Sequence, residues 1–537
     1  MIFIHNVSLS IYLFTQKRAL KIMVLMFNWE KNSAKIKSLL LIMALCYLTW
    51  YLPEALGYTF RLFDPTPTGR VLRLYGLLLA PTLLLYSRIY VLGWLSVILM
   101  ISISLYSFIG LEFGPPSIGI LLSIIYTNKK EAYEQIFSVP LREVLLFSIS
   151  LISIFYYAKS IKKTKSPWWL WSLAILLFAP TFLKGIYLRR FCENIYYTAQ
   201  NYQKEIKELN ESSSVSPSWK INKEHIKRGK IFIVVIGESA RADYMSIYGY
   251  PQKTSPFLKE NSNIIFNNAI SPAANTILSV PRILSINNDS FNIKRGYDAV
   301  TLAKYSGLDT WWISAQGKTG AFDTEITHIA SRSDHSIFLQ IGDHASKIID
   351  DMELLPYINK AIEYKSLKDK VIFVHILGSH HDPCERLISY PLMNLPNNWS
   401  LQLSCYVTSI QKTDTFIEII NDVLKEKGQP YEIIYFSDHG VYITNKTMLH
   451  SQTTPEAYHV PFVVIDSESQ KRITISKPFD MRHFIDFFAS QIGVKTEQTE
   501  NNWEKYLNSN MPITPIAWDK RHIIDINSLE PNPAITE

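Results

Sequence analysis

Ile231-Phe232-Ile233-Val234-Val235-Ile236-Gly237-Glu238-Ser239 carries an unbroken apolar run into a glycine, a carboxylate and a hydroxyl. The run is too short for a buried helix, and without polar alternation it fits a strand covered on both faces. The pattern returns downstream: residues 371–377 lead into Gly378-Ser379-His380-His381, residues 433–436 into Ser437-Asp438-His439-Gly440, and residues 460–465 follow His459. Amphipathic segments of helical length separate these runs, which predicts a mostly parallel sheet with helices on both sides. Loops at the carboxyl ends of such strands converge on one crevice. Glu238, His380, His381, Asp438 and His439 are therefore expected to share a site although they lie far apart in the chain.

Upstream the composition changes. The mean hydropathy of +0.05 averages a very apolar first third with an ordinary globular remainder. Five stretches, near 38–56, 71–87, 90–110, 142–158 and 168–187, approach the roughly 20 apolar residues that span a bilayer. The basic residues sit beside them: Lys17, Arg18, Lys21, Lys31, Lys35 and Lys37 before the first, and Lys159, Lys162, Lys163 and Lys165 between the last two. Both clusters read as cytoplasmic flanks, and five crossings then deliver everything after about residue 187 to the far side. This arrangement accounts for the net charge of +7 without nucleic acid as a partner.

The expected layout is a cytoplasmic segment at 1–36, a transmembrane helical domain at 37–187, a linker or bridging helix at 188–228 and a periplasmic domain at 229–537. The linker holds Glu211-Ser212-Ser213-Ser214-Val215-Ser216-Pro217-Ser218, which buries little apolar surface. Residues 1–25 lack a cleavage site of the signal-peptide kind, and Met26 offers an alternative start. Of the four cysteines, Cys46 lies in an apolar run, whereas Cys384 and Cys405 fall in the polar half and could pair outside the cytoplasm.

A divalent metal with one position left for a reacting atom takes carboxylate and imidazole ligands on rigid backbone. Glu238, Asp438 and His439 supply that donor set at two strand ends. The ordinary alternatives are a carboxylate at a helix start for Glu238 and a solvated turn for the Asp-His pair.

Several segments together carry a family resemblance. Gly237-Glu238-Ser239-Ala240-Arg241-Ala242-Asp243 with Thr254-Ser255-Pro256, then Asn275-Thr276-Ile277-Leu278-Ser279-Val280-Pro281, then His375 through His380, Ser437-Asp438-His439-Gly440 and His459-Val460-Pro461, resemble the motifs of the phosphoethanolamine transferases in the same order. That family belongs to the alkaline phosphatase and sulfatase superfamily. The resemblance covers about 230–490 and implies a five-helix membrane domain followed by a sulfatase-like α/β/α sandwich. It also implies Thr276 as nucleophile, and Zn²⁺ held by Glu238, Thr276, Asp438 and His439. His380 and His459 would line the phosphoryl group or a second zinc position, with His375 and His450 near other family histidines. His375 lies within an apolar run and also fits a core histidine. Thr127-Asn128-Lys129-Lys130-Glu131-Ala132 resembles the segment that reaches the lipid headgroup, placing Thr127 and Glu131 near an ammonium.

The implied reaction takes phosphoethanolamine from phosphatidylethanolamine to an envelope glycan, namely lipopolysaccharide (lipid A or core sugars) or a periplasmic glucan. With lipid A as acceptor, lowered surface charge would reduce binding of cationic peptides. Rival readings are a glycerophosphate transferase or sulfatase of the same superfamily, and an inactive envelope scaffold. The chain departs from the pattern in places: Pro272 and Arg282 stand where the family has cysteines flanking the nucleophile, and His381-Asp382-Pro383 and Val441-Tyr442-Ile443-Thr444 replace the usual continuations. Cys405, nine residues before Asp414, does match a family cysteine, and Cys384 is its implied partner.

Overall fold

The computed structural model describes residues 116–126, 141–160, 186–212, 217–222, 229–317, 324–340, 349–366, 368–508 and 513–537, with scattered positions between 91 and 106. The expected spans at 38–56 and 71–87, most of those at 90–110 and 168–187, and the segment from Thr127 to Glu131 lie outside the described residues. The chain divides into two units, one of residues 1–115 with 139–193 and one of residues 116–138 with 194–537. In the first, helix α2 (Leu141–Ser160) covers the fourth apolar stretch and exposes Leu145, Ile149, Ile152 and Phe155. Among the described residues no helix is long and apolar enough to cross a membrane.

The second unit is built on an eight-stranded sheet. Its strands in chain order are β1 (Ile231–Gly237), β2 (Ile264–Phe266), β3 (Asp309–Ser314), β4 (His335–Phe338), β5 (Lys370–His375), β6 (Tyr431–Ser437), β7 (Phe462–Asp466) and β8 (Ile473–Ile475). Their spatial order is β8-β2-β7-β6-β1-β5-β3-β4. From β6 to β4 every pairing is parallel; β7 is antiparallel to both its neighbours, so the sheet is mixed. Periodicity carries no strand direction, so the apolar run at 460–465 gave no sign of this reversal. Because β7 runs backwards, its first residues lie at the same sheet end as the carboxyl ends of β1, β5 and β6.

The central strands are continuous in apolar residues because each feeds two cores. Ile231, Ile233 and Val235 of β1, Ile372 and Val374 of β5, and Ile433 and Tyr435 of β6 enter one layer. Phe232, Val234, Ile236, Val371, Phe373, Ile434 and Phe436 enter the other. Alternation along a strand sends successive side chains to opposite faces, so a polar residue anywhere in the run would be buried. Fully burying one such side chain contributes about 1.5–3 kcal/mol, which a Val235→Asp change would replace with the cost of an unpaired charge.

The first layer is closed by helix α9 (Leu401–Lys427), which is capped by Ser400 accepting from the Leu403 amide and contributes Leu403, Tyr406, Val407, Ile410, Phe416 and Ile420. The second is closed by α5 (Thr276–Leu284), α6 (Ala299–Tyr305) and α10 (Phe484–Gln491). Helix α1 (Ile118–Tyr126) packs against α5 with Ile118 and Leu122, four residues apart on one face, buried. Helix α3 (Ile186–Ser212) is followed by a stretch that joins the globular core. There Trp219 is buried with its indole N–H donating to Thr301, and Ile221–Asn222 pairs with Lys495–Thr496.

Candidate metal centre

The β1–β6 ladder sets Gly237 opposite Ser437, so the next residue on each strand, Glu238 and Asp438, emerge side by side. His439 follows at once. All three side chains are buried, and one ligand atom from each lies within 4.8 Å of the others. Their loops are tied together: the Asp438 amide donates to the Gly237 carbonyl at 3.1 Å, and Asp438 Oδ1 accepts from the Ser239 amide at 3.1 Å. Ser239 holds a left-handed φ of +59°, a costly conformation for a side-chain residue, and its hydroxyl donates to Glu238 Oε1 at 2.7 Å.

Thr276 arrives from the other layer as the first residue of α5. The Asn275 side chain caps this helix by accepting from the Leu278 amide at 3.0 Å. The threonine hydroxyl donates to Glu238 Oε2 at 3.0 Å and lies 3.3 Å from His439 Nε2. Where cysteines were expected to be missed, other contacts order this loop. The Arg282 guanidinium donates to the Leu278 carbonyl at 2.8 Å and the Phe291 carbonyl at 2.7 Å, and the Pro272 carbonyl accepts from the Ile516 amide at 2.8 Å.

Two glycines allow this crowding. At Gly378, with φ +50°, a Cβ would sit 3.0 Å from the Glu238 carbonyl; at Gly440 it would meet the Glu456 carbonyl at 2.2 Å.

The site's electrostatics suit a bound cation. Burial works against the charged form of Glu238, yet the His439 hydrogen bond and the His439, His380 and His450 charges hold it well below the usual carboxylate range. Burial and the Glu238 charge push Asp438 up to about 7. For His439, burial is outweighed by Asp438 and Glu238, which raise it to about 9. The ring Nδ1 of His439 lies 2.7 Å from the Gly440 carbonyl; a carbonyl accepts only from a protonated Nδ1, which turns Nε2 towards the carboxylates. Asp438 Oδ2 is buried with no hydrogen-bond partner. A buried orphan oxygen, a second carboxylate and an oriented imidazole fit a divalent ion of the zinc type.

Two histidines extend the centre. The His450 ring lies 5.1 Å from that of His439 and 5.8 Å from that of His380, and burial, then the His439 and His380 charges, drives His450 far below its ordinary value. His375 closes the floor: it ends β5, is buried against Trp312 with Nε2 unpartnered, and burial lowers it to about 4. His381 is likewise pushed to about 4, by burial and then His380. His459 lies in a segment tied to the ligand loop, since the Gly440 amide donates to the Ala457 carbonyl at 2.8 Å and the Ser437 amide to the Pro461 carbonyl at 3.2 Å; burial lowers its pKa. Cys384 and Cys405 form a disulfide that ties Pro383–Leu387, beside His380, to α9. One contributor escaped the sequence reading: Gln316, just beyond β3, donates to Glu238 Oε2 at 3.0 Å and to the Ile376 carbonyl at 3.3 Å.

An α/β sheet whose strand ends bring a carboxylate–histidine cluster against a threonine at a helix start defines a sulfatase-type domain, and the family model described as Sulfatase matches residues 230–494. The chain is 29% identical to a putative phosphoethanolamine transferase of Haemophilus influenzae over 67% of its own length and 74% of that protein. It is 26% identical to the phosphoethanolamine transferase OpgE of Escherichia coli, over 72% and 77%. The crystal structure of the C-terminal periplasmic domain of EptC from Escherichia coli, in complex with Zn, superposes with a TM-score of 0.51 at 21% identity, covering 59% of this chain and 98% of that one. The integral membrane lipooligosaccharide phosphoethanolamine transferase A of Neisseria meningitidis superposes with 0.56 at 15% identity, covering 87% and 96%. Residues 230–494 thus match the sulfatase family, and over about two thirds of its length the chain is similar to phosphoethanolamine transferases.

Proposed function

We propose that the protein transfers phosphoethanolamine from phosphatidylethanolamine to a hydroxyl of an envelope glycan, through a phosphoethanolamine ester of Thr276. The observation that carries this reading is the Thr276 hydroxyl, at a helix amino end, within hydrogen-bond reach of both Glu238 and His439. The first amides of α5 have no intrahelical acceptor and the helix dipole favours negative charge there, so a phosphoryl group seats beside the nucleophile. A zinc ion held by Glu238, Asp438, His439 and the Thr276 oxygen would lower the pKa of that hydroxyl and offset charge on phosphorus.

In the first half-reaction the Thr276 oxygen bonds to phosphorus as its proton leaves, and that proton passes in net to the departing diacylglycerol oxygen. The bond to diacylglycerol breaks, and the departing oxygen takes up a proton. In the second, the acceptor hydroxyl attacks phosphorus, loses its proton and frees Thr276. His380 and His459 line the phosphoryl group, with His450 beside His439. This reading assigns the donor-binding Thr127 and Glu131 to the headgroup ammonium and one zinc to the centre. It sets the catalytic domain in the periplasm on five membrane helices, consistent with the positive-inside charge pattern.

Intact-mass measurement after incubation with phosphatidylethanolamine tests it. The wild type is expected to gain one phosphoethanolamine, and Thr276→Ala none. An adduct that persists in Thr276→Ala rules out this nucleophile, and a wild type with neither adduct nor zinc supports a scaffold instead.

A further inference from the structure

Beyond the last ladder pair the Glu238 and Asp438 loops are joined by the Ser239 amide donating to Asp438 Oδ1 and by Arg241 Nη1 donating to the Val441 carbonyl at 3.3 Å. What holds their far sides is a residue near the other end of the domain. The Arg241 guanidinium, three residues past Glu238 and fully buried, binds Asp243 through Nε and Nη2 at 2.9 and 2.6 Å and directs Nη1 to Asn532 Oδ1 at 2.7 Å. The same Asn532 oxygen accepts from the Ile443 amide at 3.0 Å, and Asn532 Nδ2 donates to the Ile443 carbonyl at 2.9 Å. Its backbone amide donates to Glu456 Oε2 at 2.9 Å.

Asn532 thus joins three loops: the one leaving Glu238, the one leaving His439 and the one that leads to His459. All three crowd around Gly440, where an added Cβ would meet the Glu456 carbonyl and lie 3.0 Å from Arg241 Cγ. Gly440 in turn supplies the carbonyl that orients His439. The neighbours of Asn532 keep it registered: the Ala534 amide donates to Asp243 Oδ2 at 3.0 Å, and the Ile535 carbonyl accepts from the Tyr250 hydroxyl at 2.7 Å. Pro531 and Pro533 bracket it, and the residue before a proline is confined to extended backbone, so little conformational freedom is lost when the side chain docks.

We propose that Asn532 is a positioning residue for the metal centre: its carboxamide clamps the Glu238 and His439 loops at the spacing the ligands need. The proposal rests on the zinc reading given under the proposed function. Metal sites demand ligands held to about 0.5 Å, and loss of an outer-shell partner weakens metal binding by about ten- to a hundredfold.

The test is zinc affinity of the full chain, measured by competition with a chromophoric chelator, together with kcat and KM for phosphatidylethanolamine. Asn532→Ala is expected to weaken zinc about tenfold and to lower kcat with KM unchanged, while the far-ultraviolet spectrum stays that of the wild type. Asn532→Asp keeps an acceptor for Arg241 and Ile443 and is expected to recover most of the loss. A merely structural residue would lower the unfolding temperature and leave zinc affinity in the folded protein alone. Zinc affinity and kcat within twofold of wild type in folded Asn532→Ala overturn the proposal. Should that variant not fold, Asn532→Gln, which retains the amide but displaces it by one methylene, is held to the same criterion. A wild type that binds no zinc sinks the metal reading itself, whereas zinc bound equally by wild type and variant sinks only the clamp.

Discussion

Gly440→Ala isolates how far the centre depends on exact spacing. The new methyl would lie 2.2 Å from the Glu456 carbonyl, where side-chain carbons keep at least 3.0 Å from backbone, so one of the two loops must retreat by the difference, about 0.8 Å. The Glu456 loop is poorly placed to yield, because its side chain accepts from the Asn532 amide and the Ala457 carbonyl accepts from Gly440 itself at 2.8 Å. The 438–440 loop therefore moves, and the Gly440 carbonyl carries His439 with it through the 2.7 Å contact to Nδ1. Overpacking of this kind costs about 1–3 kcal/mol of stability, whereas a displacement near 1 Å at reacting groups costs about a hundredfold in rate. Transfer activity is expected to fall about a hundredfold in a protein that remains folded at 25 °C. Gly307→Ala is the control: its φ of +92° makes alanine unfavourable by about 1 kcal/mol, but nothing lies within 4 Å of the new carbon and activity should hold. Measured turnover of Gly440→Ala within threefold of the wild type would refute the reasoning.

Other outcomes follow from the same contacts. His450→Ala should lower turnover by at least tenfold, because its ring lies 5.1 Å from that of His439; steady-state kinetics within twofold of the wild type would deny it a place beside the phosphoryl group. Gln316→Ala removes a donor to Glu238 and should weaken zinc about tenfold in a chelator titration, and unchanged affinity would deny it that part. Arg282→Ala deletes three charged hydrogen bonds to carbonyls, of which the two short ones are each worth about 1.5 kcal/mol, for about 3 kcal/mol in denaturant unfolding; a loss under 1 kcal/mol would mean that packing alone orders the loop. His375 is held neutral by burial, with a folded pKa of about 4 against about 6.5 unfolded, so its contribution is intact above 6.5 and lost as pH falls towards 4. Stability should drop by about 1.4 kcal/mol per pH unit through that window from this group, and a His375→Gln protein with the wild-type slope would contradict it.

What could be read in advance was whatever repeats along the chain. The apolar runs at 231–236, 371–377 and 433–436 announced buried strands, and the polar residues that end them announced Glu238, His380, Asp438 and His439. The same rule applied to Thr310-Trp311-Trp312-Ile313 leads to Ser314 and Gln316, which went unremarked because tryptophan and threonine dilute the run. Thr276 could not be found this way, since a helix start beside Pro281 has no periodic signature and only resemblance to a family singled it out. His459 and His450 show the limit of the strand-end rule. His459 precedes the reversed β7, whose first residues lie at the ligand end of the sheet, and His450 sits in the loop between β6 and β7 with its ring 5.1 Å from that of His439, so neither follows the carboxyl end of a strand in the eight-stranded sheet.

The two parts of the centre are held by different physics. Glu238, Asp438 and His439 project from adjacent central strands, so the backbone ladder sets their separation and only the loops beyond it need the Arg241, Gly440 and Asn532 contacts. Thr276 belongs to no strand. Its place is set by the Asn275 cap, by Arg282 reaching across to the 290–291 turn, and by the packing of α5 on the second core layer. On the proposed function, metal binding and nucleophile placement would therefore be separable by mutation: changes behind the strand ends would act on Glu238, Asp438 and His439, and changes along α5 on Thr276. The Thr276 hydroxyl, 3.0 Å from Glu238 on a scaffold of its own, is placed where the proposed covalent, two-step transfer needs its nucleophile.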